Sequence, residues 1–594
     1  MIVNYHKRKN DSLFKQLNDT ASLHIVNAQN YNPIYKRLFI LNNTNYNSIN
    51  LNHDWYLTTI HENKDTSHNI YECQIKHTTT KKTKTEDVFF KFAPLLDPFK
   101  YLTGKYDINE TTLFNLPTNP YEPLICHKKI DGENNCAYID SFFSFLSSTL
   151  IQPHSFIHGV EFYGSFLGIK HNYILNLEDD IEYIIDNPFF KKHNNSLFSI
   201  KYNDEEYPLL QKPKLNINFN EDASCHNLSI KSIEHVDFDN LFDDLEPEPD
   251  TEDATSSKYI NFDELKELSI DLLHITPSDE IVKHSPSSNS SFSSRTSNTN
   301  SEETSSIKSG HTAETITSDM DISDEYETVE TESDETSYFE DDVQATIFKF
   351  PVQVICMEKC EDTLDSFILN NSISEEEWFS ILMQVIMILI IYQQAFHFTH
   401  NDLHTNNVMY SKTDIKYVYY LYKNTYYKVP TFGKIFKIID FGRSIYKYNK
   451  NIFCSDSFDK NEDAYGQYNT LPYLNENKPT LDPNPSFDLC RLACSIFDYV
   501  VDDMSEIKDL SVCSPIVRLI VEWCQDDKGS NVLYKQCGDD RYPDFKLYKM
   551  IARCVHKHTP QKQLERSEFK KYIIHKYKSE KNHVFMNIDK IPSY

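Results

Sequence analysis

Two stretches in the second half of the chain decide the fold: THNDLHTNNVMY at residues 399–410 and IIDFGRS at residues 438–444. The first places His400, Asp402 and Asn407 in an H-x-D-x-x-x-x-N spacing. A carboxylate can receive the proton of a hydroxyl group, and an amide oxygen is a ligand that hard cations such as Mg²⁺ accept. The spacing therefore indicates one tight loop that combines a general base with a metal ligand.

The second stretch adds Asp440, a further oxygen ligand, followed by Phe441 and Gly442. Either stretch alone is a weak signal, because short strings of Asp and Asn occur by chance in a chain that is rich in both. Their order and separation make the combination specific. Together they resemble the catalytic loop and the metal-binding loop of protein kinases.

The resemblance implies a role for each of these residues. Asp402 would be the catalytic base, and His400 would be a structural member of the same loop. Asn407 and Asp440 would bind Mg²⁺ together with the phosphates of ATP. The implied cofactors are ATP and Mg²⁺, and the implied reaction is transfer of the γ-phosphoryl group to a Ser or Thr hydroxyl of a protein substrate.

His404 leaves a second reaction class open. In the string DLHTNNV it stands where protein-serine kinases carry a lysine, and this pattern resembles haspin-type kinases as well as aminoglycoside and choline phosphotransferases. The long segment between Gly442 and Asp488 favours a protein kinase, because small-molecule phosphotransferases largely lack a substrate-docking segment there. A third interpretation is a pseudokinase scaffold that binds partners without catalysis.

Upstream, Lys91 in VFFKF is the candidate lysine for the nucleotide phosphates, because a lysine among large apolar residues is costly unless it is paired. The run KFAPLLDPFKY, residues 91–101, resembles the same region of divergent serine/threonine-type kinases encoded by large DNA viruses. In the family pattern this lysine pairs with a Glu from the first long helix. Here the predicted helix YIDSFFSFLSSTLI offers Asp140 instead.

Two further segments fit the same resemblance. The run PVQVICMEKCEDTLDSFI resembles the last strand of the small lobe, the hinge and the following helix. On that alignment Met357 lies at the back of the adenine pocket, and backbone groups of Glu358 and Cys360 face the adenine edge. The run SFDLCRLACSIFDYV resembles the start of a long buried helix in which Asp488 holds the catalytic-loop backbone through hydrogen bonds.

The sequence departs from the family pattern at the phosphate-binding loop and beside the base. No glycine precedes Gly104, so the Gly-rich loop upstream of Lys91 is absent and nucleotide clamping must differ. Asn401 replaces the usual Arg before Asp402, which removes the cation that reads a phosphorylated activation loop. We therefore expect no control by activation-loop phosphorylation through that route.

These assignments predict an α+β, bilobal protein-kinase-like fold with a small antiparallel-sheet lobe and a helical lobe. Residues 1–50 would be an N-terminal extension and residues 51–180 the first part of the small lobe. Residues 181–345 would be an acidic, Ser/Thr-rich insertion, largely disordered from about residue 220. Residues 346–360 would be the last strand of the small lobe with the hinge, and residues 361–594 the helical lobe.

Local patterns support this division. Runs rich in β-branched and aromatic residues predict strands at residues 70–77, 87–92 and 346–357. Residues 160–177 predict two strands around a turn. Ser374, followed by three glutamates, predicts a helix start. The apolar run 381–392 is too short for a membrane span of roughly 18 to 20 residues, so it predicts a buried core helix and no membrane association.

The negative charge is concentrated in the insertion. Residues 241–345 contain 28 acidic and five basic residues, which accounts for most of the formal net charge of −30. This balance argues against a nucleic-acid-binding surface over the whole molecule, and we predict no nucleic-acid partner. The acidic insertion would bind basic partners. Within it, Ser278, Ser323 and Ser333 each precede Asp-Glu and are candidate phosphorylation sites.

The cysteine content indicates the cellular compartment. The 13 cysteines form no paired spacing, and the N-terminus MIVNYHKRKN has no apolar signal segment. Both features predict a protein of a reducing, intracellular environment. For a viral chain this would be the host cytoplasm or the virion.

Overall fold

The computed structural model describes residues 2–65, 68–118, 125–177, 181–201, 343–535, 537–577 and 583–594. The predicted disorder from about residue 220 and the three candidate phosphorylation sites lie outside these residues.

The strands are β1 Tyr5–Lys7, β2 Ile25–Gln29, β3 Ile49–Leu51, β4 Trp55–Asp65, β5 Ile70–His77, β6 Thr83–Pro94, β7 Phe162–Asn176, β8 Phe198–Lys201, β9 Gln344–Glu358, β10 Asp362–Thr363, β11 Val408–Lys412, β12 Tyr417–Tyr422, β13 Thr425–Pro430, β14 Lys434–Ile438, β15 Ile445–Tyr448, β16 Asn451–Cys454, β17 Ile573–Ile574 and β18 His583–Asn587. The helices are α1 Asp11–Asp19, α2 Pro98–Leu102, α3 Lys128–Asp131, α4 Cys136–Ser148, α5 Ile151–His154, α6 Ile181–Ile184, α7 Pro188–His193, α8 Leu364–Asn370, α9 Glu375–Phe396, α10 Phe487–Val500, α11 Pro515–Trp523, α12 Lys546–Cys554, α13 Pro560–Gln563 and α14 Ser567–Lys570.

The largest sheet is antiparallel and has seven strands in this mixed α/β structure. Its order is β2-β7-β9-β6-β5-β4, and β8 pairs with the part of β9 that β6 does not cover. The central strand β9 is buried from Phe350 to Met357, as expected for a strand that is covered on both faces. The strands predicted at residues 70–77, 87–92 and 346–357 are confirmed as β5, part of β6 and most of β9.

Strand β7 corrects the prediction of two strands around a turn at residues 160–177. The chain pairs with β9 continuously from Phe162 to Asn176, with one irregularity between Phe162 and Gly164. Gly164 has a φ of +138°, so the irregularity is a bulge in a continuous strand and no turn interrupts residues 162–176. The long partner strand β9 supplies ladder hydrogen bonds on both sides of the irregularity, and these keep the strand continuous.

Two helices were predicted from their apolar patterns and are confirmed. Helix α4 contains the predicted Tyr138 segment, and α9 begins at the predicted cap, where Ser374 Oγ accepts a hydrogen bond from the Glu377 N–H at 3.3 Å. By length and composition, α9 is the one helix in the described ranges that could cross a membrane. Its most apolar window is 89% buried inside the protein, so its composition fits the predicted core helix.

Three segments of the predicted domain division contain regular structure beyond what was assigned to them. The expected N-terminal extension 1–50 contributes β2 to the large sheet and pairs β1 with β3. Residues 181–201, expected in the insertion, form α6, α7 and β8. Residues 361–594, expected to be helical, also contain several sheets, including a four-stranded one in the order β17-β13-β12-β18. Strands β12 and β13 of that sheet are rich in tyrosine and β-branched residues, a strand composition that the helical expectation missed.

A buried histidine joins the segment before β7 to the smaller sheets. His158 Nδ1 lies 2.8 Å from the Phe436 carbonyl oxygen, and its Nε2 lies 2.8 Å from the Tyr420 hydroxyl. The carbonyl can only accept, so Nδ1 donates and Nε2 of the neutral ring accepts from Tyr420. Burial lowers the pKa of His158 to about 4, so this ring is neutral in the folded protein at neutral pH.

The insertion leaves and re-enters the fold at neighbouring positions, which predicts that it can be shortened. Lys201 at the end of β8 is paired with Gln344 at the start of β9. Replacing residues 202–342 with a four-residue hairpin turn should therefore preserve the fold. It should also raise the free energy of unfolding by up to roughly 3 kcal/mol, because a shorter loop costs less closure entropy. Urea denaturation of both proteins measures this, and a large loss of stability in the shortened chain would contradict it.

His158 predicts a specific loss of stability at mildly acidic pH. In the unfolded chain it should titrate near 6.5, whereas the folded ring takes a proton only near pH 4. The unfolded state binds more protons between these values, so stability falls as the pH is lowered through that window. In His158→Gln, the loss between pH 7 and pH 5 should be smaller by about 2 kcal/mol.

The matched control for that experiment is His575→Gln, because His575 is exposed. Its loss of unfolding free energy between the two pH values should equal that of the wild type. Equal losses in the two histidine variants would show that His158 does not titrate as the structure requires.

Candidate active site

Lys91 lies at a buried junction between strand β6, helix α4 and the loop after β14. Its Nζ is 2.8 Å from Asp140 Oδ2 and 3.0 Å from Asp440 Oδ1. Lys91 is 4% exposed. Burial by itself lowers the pKa of Lys91, but the two carboxylates outweigh it and raise the pKa above the ordinary value. The structure thus brings together three residues that the sequence places up to 349 positions apart.

Asp140 holds the loop as well as the lysine. Its second oxygen, Oδ1, accepts a hydrogen bond from the Phe441 N–H at 2.9 Å. Asp440 has a φ of +60°, a left-handed conformation that suits Asp better than most residues. Burial raises the pKa of Asp140, while Lys91 opposes that rise. A shorter acid than the usual Glu therefore still reaches the lysine, because α4 lies close to both the strand and the loop.

Asp488 fixes the backbone of the loop that contains His400. Its carboxylate accepts from the His400 N–H, at 3.1 and 2.9 Å to the two oxygens, and from the Asn401 N–H at 3.0 Å. Asp488 is fully buried in the first turn of α10. Asp488 therefore satisfies two consecutive backbone N–H groups of this loop.

The ring of His400 connects the two loops. The Asp402 N–H donates to His400 Nδ1 at 3.3 Å, so the proton of the neutral ring is on Nε2. That nitrogen donates to the Ile439 carbonyl at 2.9 Å. The ring also packs against Phe441, with ring centroids 5.7 Å apart. The His400 ring therefore links the loop of Asp402 to the loop of Asp440.

Asn407 is oriented by two hydrogen bonds from its amide nitrogen. Nδ2 donates to the Asp402 carbonyl oxygen at 2.8 Å and lies 3.1 Å from His404 Nε2. The backbone carbonyl of Asn407 accepts a hydrogen bond from the Ile439 N–H at 3.0 Å, which places Asn407 beside the strand that leads to Asp440. Because the amide nitrogen has protein partners, Oδ1 is the side-chain atom suited to a cation.

The donor set fits a magnesium ion that arrives with a nucleotide. Asp440 supplies a carboxylate and Asn407 an amide oxygen, and Mg²⁺ in such sites is held by one or two protein oxygens together with phosphates. A buried carboxylate, Asp140, and a partly buried one, Asp440, face the single ammonium of Lys91. The cluster therefore carries an excess negative charge that a divalent cation would offset. No group of three or more His, Cys, Asp or Glu with metal-binding geometry occurs in the described part of the chain.

Asp402 is enclosed by residues that sequence reasoning did not assign to it. The Tyr548 hydroxyl donates to Asp402 Oδ1 at 2.8 Å, and Arg443 Nη1 lies 3.3 Å from Oδ2. Asp402 is 2% exposed. Burial by itself raises the pKa of Asp402, but the positive charge of Arg443 is the main influence that reverses this and holds the pKa below the ordinary value. The carboxylate is therefore ionised at neutral pH.

The two enclosing residues differ in how the sequence reveals them. Arg443 directly follows the glycine of IIDFGRS, so its proximity to the loop could have been inferred. Its Nη2 also binds Asp463 at 2.6 Å. Tyr548 follows Asp402 by 146 positions and has no local pattern that marks it. Only the packing of α12 against α10 brings it to the loop.

Asn401, which replaces the family's usual Arg, has a structural position. Its side-chain nitrogen donates to the Arg443 carbonyl at 3.1 Å and to the Thr399 carbonyl at 3.3 Å. Asn401 is fully buried and has a φ of +67°, which Asn tolerates better than most residues. The residue therefore joins the two loops directly instead of presenting a cation to the segment that follows.

That following segment is held by ion pairs to the region around α3. Lys129 Nζ lies 2.8 Å from Asp456 Oδ2 and 3.0 Å from Glu462 Oε2. Lys100 Nζ lies 2.8 Å from the same Glu462 oxygen. Asp456 Oδ1 also accepts from the Cys136 N–H at 2.9 Å, at the start of α4. The segment is therefore held in place by the carboxylates of Asp456 and Glu462, without an added phosphate group.

The residues that the sequence predicts for a hinge lie at and just after the end of β9. Met357 is buried and paired with Phe89 of β6. The Glu358 N–H donates to the Glu161 carbonyl at 2.9 Å, so this group is engaged within the protein. The side chain of Glu358 binds Lys437 at 2.7 and 2.8 Å. Burial raises the pKa of the Cys360 thiol to about 11. That backbone groups of Glu358 and Cys360 face an adenine edge stays a prediction.

The Asp488 contacts predict a strong effect of a conservative change. Asp488→Asn replaces an accepting oxygen with an NH₂ group beside backbone N–H donors, so it should lower the free energy of unfolding by about 2 kcal/mol. Asp498→Asn in the same helix is the matched control. Asp498 is exposed, and the amide oxygen of Asn can still accept the hydrogen bond that the Tyr534 hydroxyl donates, so this change should cost less than about 0.5 kcal/mol. Urea denaturation at neutral pH measures both. Similar losses in the two variants would contradict the anchoring role of Asp488.

Comparison with known proteins gives a limited likeness. No protein-family model matches the chain. Over 129 residues the chain is 28% identical to the serine/threonine-protein kinase haspin of Bos taurus, covering 22% of the chain and 16% of that protein. Over 109 residues it is 28% identical to the haspin of Mus musculus, covering 18% of the chain and 13% of that protein. The matches thus span about a sixth or less of these relatives, and the similarity suggests a kinase-like relationship.

Proposed function

We propose that the chain is a protein kinase that transfers the γ-phosphoryl group of ATP, with Mg²⁺, to Ser or Thr hydroxyls of a protein substrate. The observation that carries the proposal is the position of Lys91 between Asp140 and Asp440. The loop that contains Asp440 is joined by hydrogen bonds of His400 and Asn407 to the loop that contains Asp402. The likeness to haspin supports it. The proposal includes a bilobal kinase fold, with the seven-stranded sheet as the small lobe.

Each residue has a defined task in this reaction. Lys91 would bind phosphate oxygens, and Asp140 would orient the lysine. Asp440 and Asn407 would hold Mg²⁺, which supplies positive charge against the phosphates when it is bound. Asp402 would accept the proton of the substrate hydroxyl as the new oxygen–phosphorus bond forms and ADP leaves.

The electrostatics of the loop support a carboxylate base. Arg443 holds the pKa of Asp402 below its ordinary value, so the base is deprotonated before substrate arrives. Burial lowers the pKa of His404 to about 4, so the residue in the usual lysine position carries no charge at neutral pH. The positive charge in direct contact with the base is that of Arg443, and Arg491 adds a further positive charge nearby.

A small-molecule phosphotransferase is the second candidate, because the DLHTNNV string is shared with that class. The segment after Asp440 favours a protein acceptor. It extends to α10 and is fixed by Lys129 and Lys100 through Asp456 and Glu462. A long, fixed segment beside the base provides a surface on which a polypeptide can dock.

The decisive experiment is radiolabelled phosphate transfer from ATP to a Ser/Thr peptide library, with choline and an aminoglycoside tested in parallel. Asp402→Asn should reduce transfer to peptides by roughly 10²- to 10⁴-fold, because the variant lacks the base. Asp498→Asn should transfer at the wild-type rate. Wild type and Asp402→Asn should both be thermally stabilised by ATP with Mg²⁺, because both proteins retain Lys91 and the metal ligands.

Three results would contradict the proposal in different ways. Transfer to small alcohols but never to peptides would support the second candidate. Thermal stabilisation by ATP without transfer to any acceptor would favour a pseudokinase. Absence of both stabilisation and transfer in folded protein would exclude nucleotide chemistry at this site.

A further inference from the structure

The proposed base is not accessible to a substrate hydroxyl in this structure. A general base must come within about 2.6–3.2 Å of the oxygen whose proton it receives. Asp402 is 2% exposed, and both of its carboxylate oxygens have protein partners. One partner is the Arg443 guanidinium, and the other is the hydroxyl of Tyr548. A change in at least one of these contacts must precede catalysis.

Tyr548 is held so that its proton points at Asp402. Arg491 Nε donates to the Tyr548 oxygen at 2.9 Å, which leaves the tyrosine O–H to donate to Asp402 at 2.8 Å. The Tyr548 ring stacks on Phe545, with centroids 5.1 Å apart, and packs near Phe487 at 6.1 Å. An oxygen that donates its proton to the base at this distance has the geometry required of a substrate hydroxyl.

We propose that the Tyr548 hydroxyl occupies the position of the acceptor hydroxyl on Asp402, so that Tyr548 and the substrate compete for the same carboxylate oxygen. This inference rests on the proposed function and names the contact that the substrate must displace. With Tyr548 displaced, the substrate O–H donates to Asp402 Oδ1. The oxygen–phosphorus bond then forms, the bond to ADP breaks, and the proton passes to Asp402.

Charge decides which partner of Asp402 moves. Arg443 is buried and bound to two carboxylates, Asp402 and Asp463, so its departure would leave buried charges without partners. Tyr548 is neutral, so moving its hydroxyl away from Asp402 leaves no buried charge without a partner. The move breaks the hydrogen bond to Asp402, which a substrate hydroxyl replaces, and it disturbs the contacts of the Tyr548 ring with Phe545 and Arg443. Arg443 stays and keeps the base ionised.

The test is Tyr548→Phe, which keeps the ring and removes the competing hydroxyl. The KM for the best acceptor peptide should fall on the order of tenfold, because a hydrogen bond to an ionised group is lost from the competing state. Hydrolysis of ATP without a peptide should rise, because water then reaches Asp402. Tyr468→Phe is the matched control. Tyr468 is similarly buried, lies near Phe487, and its hydroxyl bonds to the Asn484 N–H and to the Gln467 side chain rather than to Asp402. The KM and the rate of ATP hydrolysis should therefore stay at wild-type values.

The outcomes separate this inference from the proposed function. No transfer by the wild type would overturn the proposed function and this inference with it. Transfer by the wild type, together with a raised KM or a lowered kcat in Tyr548→Phe, would overturn only the inference and make Tyr548 a positioning residue. An unchanged KM in Tyr548→Phe would also overturn it.

A second measurement does not depend on the variant folding. Hydrogen exchange is followed in residues 546–554 of the wild type, with the acceptor peptide and a non-hydrolysable ATP analogue. Exchange in α12 should become faster when the peptide binds, because Tyr548 loses its contact with Asp402. Unchanged or slower exchange in that helix would overturn the inference.

Discussion

The buried carboxylate of Asp140 is the contact on which the arrangement of the site depends. One of its oxygens binds Lys91 on the central region of the large sheet, and the other accepts from the Phe441 N–H, 301 positions further along the chain. An unpaired lysine in the middle of a buried strand would be strongly unfavourable. The pairing therefore requires α4, β6 and the loop after β14 to meet, and it fixes their relative positions.

Aromatic packing surrounds that polar contact. Phe143 on α4 lies against Phe441, with ring centroids 4.6 Å apart, and against Phe398 at 4.3 Å. Dense aromatic packing excludes water, which strengthens the interaction between Lys91 and its two carboxylates. A second buried carboxylate, Asp488, fixes the loop that contains Asp402. The site is thus built from two anchored loops that share the hydrogen bond from His400 to Ile439.

Much of the site could be predicted because its residues have short-range signatures. The spacing of Asp402 and Asn407 is set within one loop, and Asp440 follows within a second short stretch. Lys91 was recognisable because a lysine flanked by phenylalanines in a strand needs a partner. Predicting its pairing with Asp140 required that Asp140 lie on a helix near the lysine, and the apolar periodicity around Asp140 indicated that helix. Strands and helices with regular patterns, such as β5 and α9, were predicted for the same reason.

Other features depend on contacts that no local pattern encodes. Tyr548 reaches Asp402 through the packing of α12, and nothing in its neighbourhood distinguishes it from the chain's other tyrosines. Strand β7 is continuous because β9 pairs with it along its length, although residues 160–177 were predicted to form two strands around a turn. Residues 181–201 form regular structure because β8 pairs with β9, and that partner strand lies beyond residues 202–342 in the sequence. Long-range pairing decided each of these cases.

The central claim is that Asp440 and the residues joined to it form a metal-nucleotide site. Electron paramagnetic resonance of Mn²⁺, used in place of Mg²⁺, measures this most directly, because it detects the bound ion in wild type and in Asp440→Asn. We predict that the wild type binds Mn²⁺ only when ATP is present and that Asp440→Asn loses this bound signal. Equal ATP-dependent binding in the two proteins, or none in the wild type, would contradict the account.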